Sequence, residues 1–352
     1  MKKLLCILLS IILTITLYSN TFALHDSSQI NTHINSEYGY EYKCFVDEFG
    51  KTISIYTNNS AWETVPANSL AETVDDYGRE KAILHDLGMD DNIIDSLSTQ
   101  QMERVRACNS VSGVCAYIKT DIDGVNTIVD EETAISNAAI INNSADTGIS
   151  PLDSGTNSFT DSYMRIVFYV YDMGDGTFYY CTSASWLTPP AFRGKDSLGA
   201  CAMDNAIFLD SCYGYFNYSC LHLLPDGTLQ NENYSIPYSG YNSSIVNNGN
   251  WNGAAIILDL PSNRELAGGG YRETWSYSNF IAYFEFKGVI STPQLERYFN
   301  ASATYCHTTV GISFTPSISI TTGDFGASIG IDFFLLKEDR RVDLPQPIHY
   351  IP

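Results

Sequence analysis

The chain lacks the short motifs that usually mark an active site. It has no SxxK, no HExxH, no Walker loop and no GxGxxG after a predicted strand. It has no CxxC or CxxH pair, and its six histidines, at 25, 34, 85, 222, 307 and 349, have no metal-ligand spacing. We therefore predict no catalytic residue, no metal and no cofactor. The many carboxylates still allow an extracellular hydrolase whose site is assembled from distant residues.

Basic residues are scarce as well. The 352 residues include 19 Lys and Arg against 40 Asp and Glu, which gives a formal net charge of −21. Because a surface this acidic repels phosphate backbones, nucleic acid is not a predicted partner. The same charge disfavours attraction to anionic membranes.

Only one long apolar run occurs, at the amino terminus. Residues 1–23, MKKLLCILLSIILTITLYSNTFA, combine two lysines, an apolar run and a small-residue cleavage site, which predicts an export signal. The apolar run is shorter than the roughly 20 residues that span a bilayer. Cleavage would remove Lys2 and Lys3 and leave 17 basic against 40 acidic residues, or −23. We expect a secreted, extracellular protein.

Eight cysteines follow the predicted leader, and an even number in an exported chain favours disulfides. Cys212 and Cys220 flank a predicted strand, and eight residues of strand hold their Cα atoms about 26 Å apart, too far for a bridge. Cys108 and Cys115 are joined by NSVSGV, which we interpret as flexible, so this pair is the candidate disulfide. Reduced, buried thiols are the alternative.

The pattern of turns predicts an α+β fold in two units. After a flexible stretch at 24–39, residues 40–141 form a small α+β domain, 142–160 a linker, 161–340 an antiparallel β-sandwich-like domain and 341–352 a tail. In the first unit a helix ends at Gly88, and another starts at Ser98 with Gln101 completing a capping box. The DIDG at 121–124 is interpreted as a plain turn rather than a calcium loop.

The segment 310–334, VGISFTPSISITTGDFGASIGIDFF, alternates apolar and small polar residues on both sides of a turn. With Thr321–Asp324 as the loop, Ile320 pairs with Phe325 and Ile318 with Ala327. The favoured interpretation is a hairpin that covers the protein's own core. The alternative is a membrane-inserting stem at 309–336, as in a pore-forming protein.

Aromatic residues make up 13% of the chain, and tyrosine and tryptophan suit the recognition of proteins and sugars. Candidate ligand-binding residues lie in SWLTPPAFR, GNWNG and YRETW, the last two interpreted as exposed loops. These candidates are Trp186, Arg193, Trp251, Tyr271 and Trp275, and the alternative is that the aromatic rings fill the core of the sandwich.

Three segments give the chain a family likeness: the leader, LGMDDNIIDSLSTQQMERVRAC and SASWLTPPAFRG. Through them it resembles uncharacterised secreted proteins of Gram-positive anaerobes, which implies an extracellular location. The residues themselves favour a non-enzymatic binding protein whose partner is an extracellular protein or glycan, for example a mucin glycan or an immunoglobulin. A membrane is a predicted partner only under the alternative interpretation, in which the hairpin at 309–336 inserts into a bilayer.

Overall fold

The structure is a computed structural model. It describes residues 31–35, 40–46, 50–57, 77–145, 161–190, 193–202, 205–240, 244–247, 253–268, 271–290, 293, 297–306, 317–323, 326–332 and 341–350. The helices are α1 (Gly78–Asp86), α2 (Asp91–Ser96), α3 (Thr99–Ala107) and α4 (Glu131–Ala145). The strands are β1 (Asn31–Asn35), β2 (Tyr40–Val46), β3 (Thr52–Thr57), β4 (Ser110–Thr120), β5 (Asn126–Val129), β6 (Ser162–Asp172), β7 (Thr177–Trp186), β8 (Lys195–Ala202), β9 (Asn205–Leu223), β10 (Leu229–Ser239), β11 (Ile245–Asn247), β12 (Gly253–Asp259), β13 (Arg264–Gly268), β14 (Tyr271–Ile290), β15 (Arg297–Cys306), β16 (Ser317–Gly323), β17 (Gly326–Asp332) and β18 (Arg341–Tyr350).

These strands form three antiparallel sheets. The large sheet has 11 strands in the order β1-β2-β3-β4-β6-β7-β14-β9-β10, with β5 also beside β4 and β13 also beside β14. A five-stranded sheet has the order β11-β12-β8-β15-β18, and β16 and β17 form a separate hairpin. The predicted antiparallel, sandwich-like character is confirmed at this level.

The central strands of the large sheet are buried on both faces, and β6 shows how. Its residues Met164, Ile166, Phe168 and Val170 belong to a core shared with the five-stranded sheet. Its residues Tyr163, Val167, Tyr169 and Tyr171 belong to a second core shared with the helices. Because side chains alternate along a strand, one strand serves both cores. The molecule is therefore layered as helices, large sheet and small sheet.

Local signals in the sequence correspond to observed turns and caps. The Ser98 hydroxyl accepts from the Gln101 backbone N–H, and the Gln101 side chain accepts from the Ser98 backbone N–H, so the predicted capping box is confirmed. The predicted helix stop at Gly88 lies two residues after α1 and has a φ of +90°, a conformation that favours glycine. Residues 69–76 of that predicted helix lie outside the described residues.

The predicted linker does not separate two sheets. Strands β4 and β6 lie on either side of residues 142–160 in the sequence, and they are paired along 11 residues, from Ser110–Asp172 to Thr120–Ser162. Helix α4 also extends through Ala145 into the predicted linker, and residues 146–160 lie outside the described part. One sheet thus contains strands of both proposed units, and their independence stays a prediction.

The candidate disulfide is wrong. None of the eight cysteines from Cys44 to Cys306 forms a disulfide, and Cys108 and Cys115 are both buried. The segment between them is not flexible, because Ser110 to Cys115 already form the first half of β4, and five residues of strand extend about 17 Å. Burial raises the pKa of each of these two thiols to about 12. The structure therefore agrees with the alternative prediction, in which Cys108 and Cys115 are reduced, buried thiols.

The hairpin of β16 and β17 has a tighter turn than the sequence suggested. Gly323 pairs with Gly326, so the loop has two residues, a common length in hairpins, and Ile318 pairs with Ile331 rather than Ala327. The register is displaced by an even number of residues, which keeps apolar residues opposite apolar residues. The Cα trace of β17 comes within 8 Å of β8, β15 and β18, so the hairpin backbone lies beside the five-stranded sheet.

Candidate functional site

Two strands of the large sheet are much longer than their neighbours. β9 has 19 residues and β14 has 20. One end of β14 pairs with β7 through Ile281–Val289, while the other end pairs with β13 through Tyr271–Trp275. The two strands therefore continue beyond β7, and β10 and β13 flank them there. We call this extension the arm, defined as 218–223, 229–235, 264–268 and 271–278.

An irregularity in β14 marks the base of the arm. The pairing of β14 with β9 shifts register between Ser278 and Ile281, and Asn279 has a φ of +55°. Such a bulge bends a strand and increases its twist. The Asn279 side chain also donates to the Ser219 hydroxyl at 3.3 Å, which ties the bulge to β9. The arm can thus point away from the body of the sheet.

One face of the arm carries a row of aromatic rings that continues from the core. Phe216 stacks on Phe280 at 6.0 Å inside the sandwich, and Tyr218 lies 6.0 Å from Phe280. Farther out, Tyr218 stacks on Tyr234 at 5.1 Å and meets Tyr277 edge-on at 5.8 Å. We call Tyr218, His222, Tyr234, Trp275 and Tyr277 the aromatic face. Tyr234 is 40% exposed and lies on the outermost strand of this row, so its ring is the most accessible.

Trp275 lies between two neighbours on adjacent strands. His222 of β9 stacks on the indole at 4.5 Å, and the Arg264 guanidinium of β13 lies 3.9 Å from the indole centre. Because β9 and β13 pair with opposite sides of β14, these groups cover opposite faces of the ring. The indole therefore presents its edge rather than a face. The His222 ring contacts Glu273 at 2.8 Å, which fixes it in place.

The tyrosine hydroxyls of the aromatic face stay protonated. A hydrogen bond to Glu232 raises the pKa of Tyr234 to about 12. Burial raises the pKa of Tyr218 and of Tyr277. Neutral phenols both donate and accept hydrogen bonds, so this surface combines apolar area with polar tips.

Two of the candidate ligand-binding residues, Trp186 and Arg193, make contacts within the fold. Trp186 is only 9% exposed, and its ring is edge-on to Phe216, Phe280 and Tyr305 at 6.4, 6.2 and 5.9 Å. Arg193 donates to the carbonyls of Pro261 and Tyr277 at 2.9 and 3.1 Å and to the Asn263 side chain at 2.7 Å. These bonds hold the connection between β12 and β13 against β14.

The remaining candidates differ in their placement. Trp275 belongs to the aromatic face, but on a strand rather than in a loop. Tyr271 is the first residue of the same strand, and its side chain is outside what is described. Trp251 also lies outside the described residues. Sequence reasoning missed Tyr218, Tyr234, Tyr277 and His222, although FNYSCLH alternates ring and small residues with the period of a strand.

A second polar group lies beneath the helices. Glu285 of β14 is 3% exposed and binds Arg104 of α3 at 2.7 Å and the Tyr283 hydroxyl at 2.6 Å. Cys181 lies 3.8 Å from the same carboxylate, and burial raises the pKa of its thiol well above the usual value. A thiol held protonated is a poor nucleophile. We therefore assign this Glu285 cluster to the attachment of the helices to the sheet.

The described residues contain neither a candidate metal site nor a candidate membrane-spanning helix. Across them, His, Cys, Asp and Glu side chains form no group of three suited to a metal ion. Within the same ranges, no helix has both the length and the apolar character needed to cross a bilayer.

No protein-family model matches the chain, and no curated protein sequence matches it. A solved collagen-binding domain from a Staphylococcus aureus adhesin aligns at 9% identity over 50% of this chain and 89% of that chain, with a TM-score of 0.23. A solved structure described as a pore forming protein aligns at 5% identity over 68% of this chain and 93% of that chain, with a TM-score of 0.17. At these scores neither alignment carries an argument about function.

Proposed function

We propose that the chain is a secreted, non-enzymatic binding protein that recognises an extracellular protein or glycan through the aromatic face of the arm. The observation that carries the proposal is the continuous row of rings that leaves the sandwich core and ends at the exposed Tyr234. Rings held by their neighbours lose little conformational freedom when a partner binds, and tyrosine and tryptophan are enriched among the residues that dominate binding energy.

The location of these rings also supports binding. β10 and β13 are largely exposed along their length, in contrast to β6 and β7, which are mostly buried. A sheet that extends beyond its covering layers exposes side chains on a rigid support. Rigid strands position binding residues better than loops do.

A defined panel tests the proposal. The purified chain is immobilised and exposed to individual extracellular matrix proteins, immunoglobulins, mucins and a glycan array. The test variant is Tyr234→Ala, and the matched control is Tyr213→Ala, because Tyr213 is 39% exposed on the opposite face of the same sheet. We expect one class of probe to be captured, with weaker capture by Tyr234→Ala only. Equal capture by both variants, or no capture at all, would contradict the proposal.

The membrane-stem alternative concerns a different part of the chain. The position of the β17 backbone beside β8, β15 and β18 supports a hairpin that belongs to the body of the protein. Dye release from liposomes by the purified chain is the direct test. Release would favour the stem, and intact vesicles would favour the hairpin as a cover of the small sheet.

A further inference from the structure

The strand β10 forms an open edge of the large sheet. Within the described part of the chain it pairs with β9 on one side and ends the strand order on the other. Asn231, Asn233 and Ser235 are exposed along this edge. An unpaired edge presents a row of backbone N–H and C=O groups, which is the requirement for adding a further strand.

Two hydrogen bonds show which backbone groups point outward. Leu224 N–H donates to the Thr228 carbonyl at 2.8 Å at one end of the β9–β10 pairing, and Gly240 N–H donates to the Cys212 carbonyl at 3.0 Å at the other end. Bonded pairs alternate with non-bonded pairs in an antiparallel ladder. The even-numbered residues of β10 therefore bond to β9, and the odd-numbered residues direct their backbone groups away from it.

The row of outward backbone N–H groups along β10 is interrupted only near the body of the protein. Pro237 occupies an odd-numbered position, where its missing N–H costs no bond to β9. The outer residues Asn231, Asn233 and Ser235 keep their donors. For comparison, β18 has two prolines, Pro345 and Pro347, in its 10 residues and also ends a sheet. Proline is a common protection of exposed edges, so β10 is the less protected of the two.

The charge beside this edge has one sign. Residues 196–263, which include β9 and β10, contain no lysine or arginine but six acidic residues. Glu232 lies within β10, and Asp226 is exposed in the turn before it. The basic residues of the arm, Arg264 and Arg272, lie on β13 and β14 on the far side of β9. The edge is thus complementary to a basic partner.

The aromatic face favours a polypeptide over a sugar. Trp275 has both ring faces covered, and Tyr218 is in contact with Tyr234 on one side and Tyr277 on the other. Stacking of a sugar needs an open ring face. On Tyr234, Tyr218 covers one ring face, and in the described part of the sheet no strand lies on the other side. The side chains of an added strand would reach that side, where a lysine or arginine gains from the ring.

We infer that the outer edge of β10 accepts an extended, basic segment of a partner protein as an additional strand. The inference rests on the proposed function and names its partner class. Backbone bonds to Asn231, Asn233 and Ser235 supply affinity, and basic side chains that alternate along the segment contact Glu232 and Tyr234.

The probe is a peptide of alternating lysine and valine, about ten residues long to match the strand. Its counterpart replaces lysine with glutamate. The test variant is Ser235→Pro, which removes one outward donor and places a ring against the added strand while leaving the bonds of Tyr234 and Ile236 to β9 intact. The matched control is Ser235→Ala, which removes the side chain and keeps the donor. Binding is measured by calorimetry, and circular dichroism checks that each variant is folded.

We expect the basic peptide to bind the wild-type chain, and Ser235→Pro to weaken it about tenfold or more, with Ser235→Ala unchanged. No binding of the basic peptide, equal binding of the acidic peptide, or equal binding to Ser235→Pro would each overturn the inference. If Ser235→Pro dissociates a dimer of the chain in sedimentation experiments, the occupant is a second copy, and the basic partner is wrong. A panel ligand lost in Tyr234→Ala but retained in Ser235→Pro would leave the proposed function standing and reject strand addition.

Discussion

The Glu285 cluster allows a stability prediction from burial and geometry. Arg104→Met keeps most of the aliphatic volume of the side chain but removes the charge that neutralises Glu285. The Glu285 side chain is 3% exposed, so water cannot replace the cation that lies 2.7 Å away in the wild-type protein. The carboxylate would keep its hydrogen bond with the Tyr283 hydroxyl. Breaking a buried pair in this way typically costs 3–5 kcal/mol. Arg104 is itself 18% exposed, so we expect about 3 kcal/mol, the lower end of that range.

The control is an exposed ion pair in the same helical layer. Lys81 and Asp95 lie 3.2 Å apart with side chains 34% and 71% exposed, so Lys81→Met should cost less than about 1 kcal/mol. Urea unfolding is followed by tryptophan fluorescence, to which the buried Trp186 contributes. The double variant Arg104→Met with Glu285→Gln should be more stable than Arg104→Met alone, because no buried charge is left unpaired. A cost for Arg104→Met equal to that of the control, or a less stable double variant, would refute the reasoning.

Two further predictions concern the sandwich and the thiols. Gly199→Ala should lower the free energy of unfolding in urea by about 2 kcal/mol or more, because the added Cβ would lie 2.3 Å from the Ala255 Cβ. The control is Gly268→Ala, which should change stability little because no atom lies within 4 Å of the added Cβ. Equal losses of stability in the two variants would contradict this prediction. The intact mass of the protein should not change on reduction. Iodoacetamide at pH 8 should modify the half-buried Cys44 before Cys108 and Cys115. The pKa values of the Cys108 and Cys115 thiols are raised to about 12, so almost no thiolate forms at these residues below pH 9. A Cys108–Cys115 disulfide, or earlier modification of those two residues, would refute it.

Local features of the fold could be predicted because their causes are local. The capping box of Ser98 and Gln101 depends on residues three apart, and Gly174 and Gly176 take φ of +80° and +82° in the turn between β6 and β7. The hairpin register was wrong for a related reason. Both the two-residue and the four-residue loop keep the alternation of β16 and β17, so the pattern cannot distinguish them.

The candidate site depends on long-range pairing, which one sequence does not specify. Trp275 meets His222, 53 positions earlier in the chain, and Arg264 only because β14 lies between β9 and β13. Trp186 illustrates the same limit. It was a candidate ligand-binding residue, and its ring packs in the core between the sheets. The presence of an aromatic residue in the sequence therefore does not predict whether its side chain is buried, because burial depends on the order of the strands in the sheet.

Hydrogen exchange of the chain with and without its captured ligand tests the central claim most directly. The account predicts that protection concentrates in the arm, at β10, β13 and the paired ends of β9 and β14. Protection confined to β16 and β17, or to strands far from the arm, would contradict it.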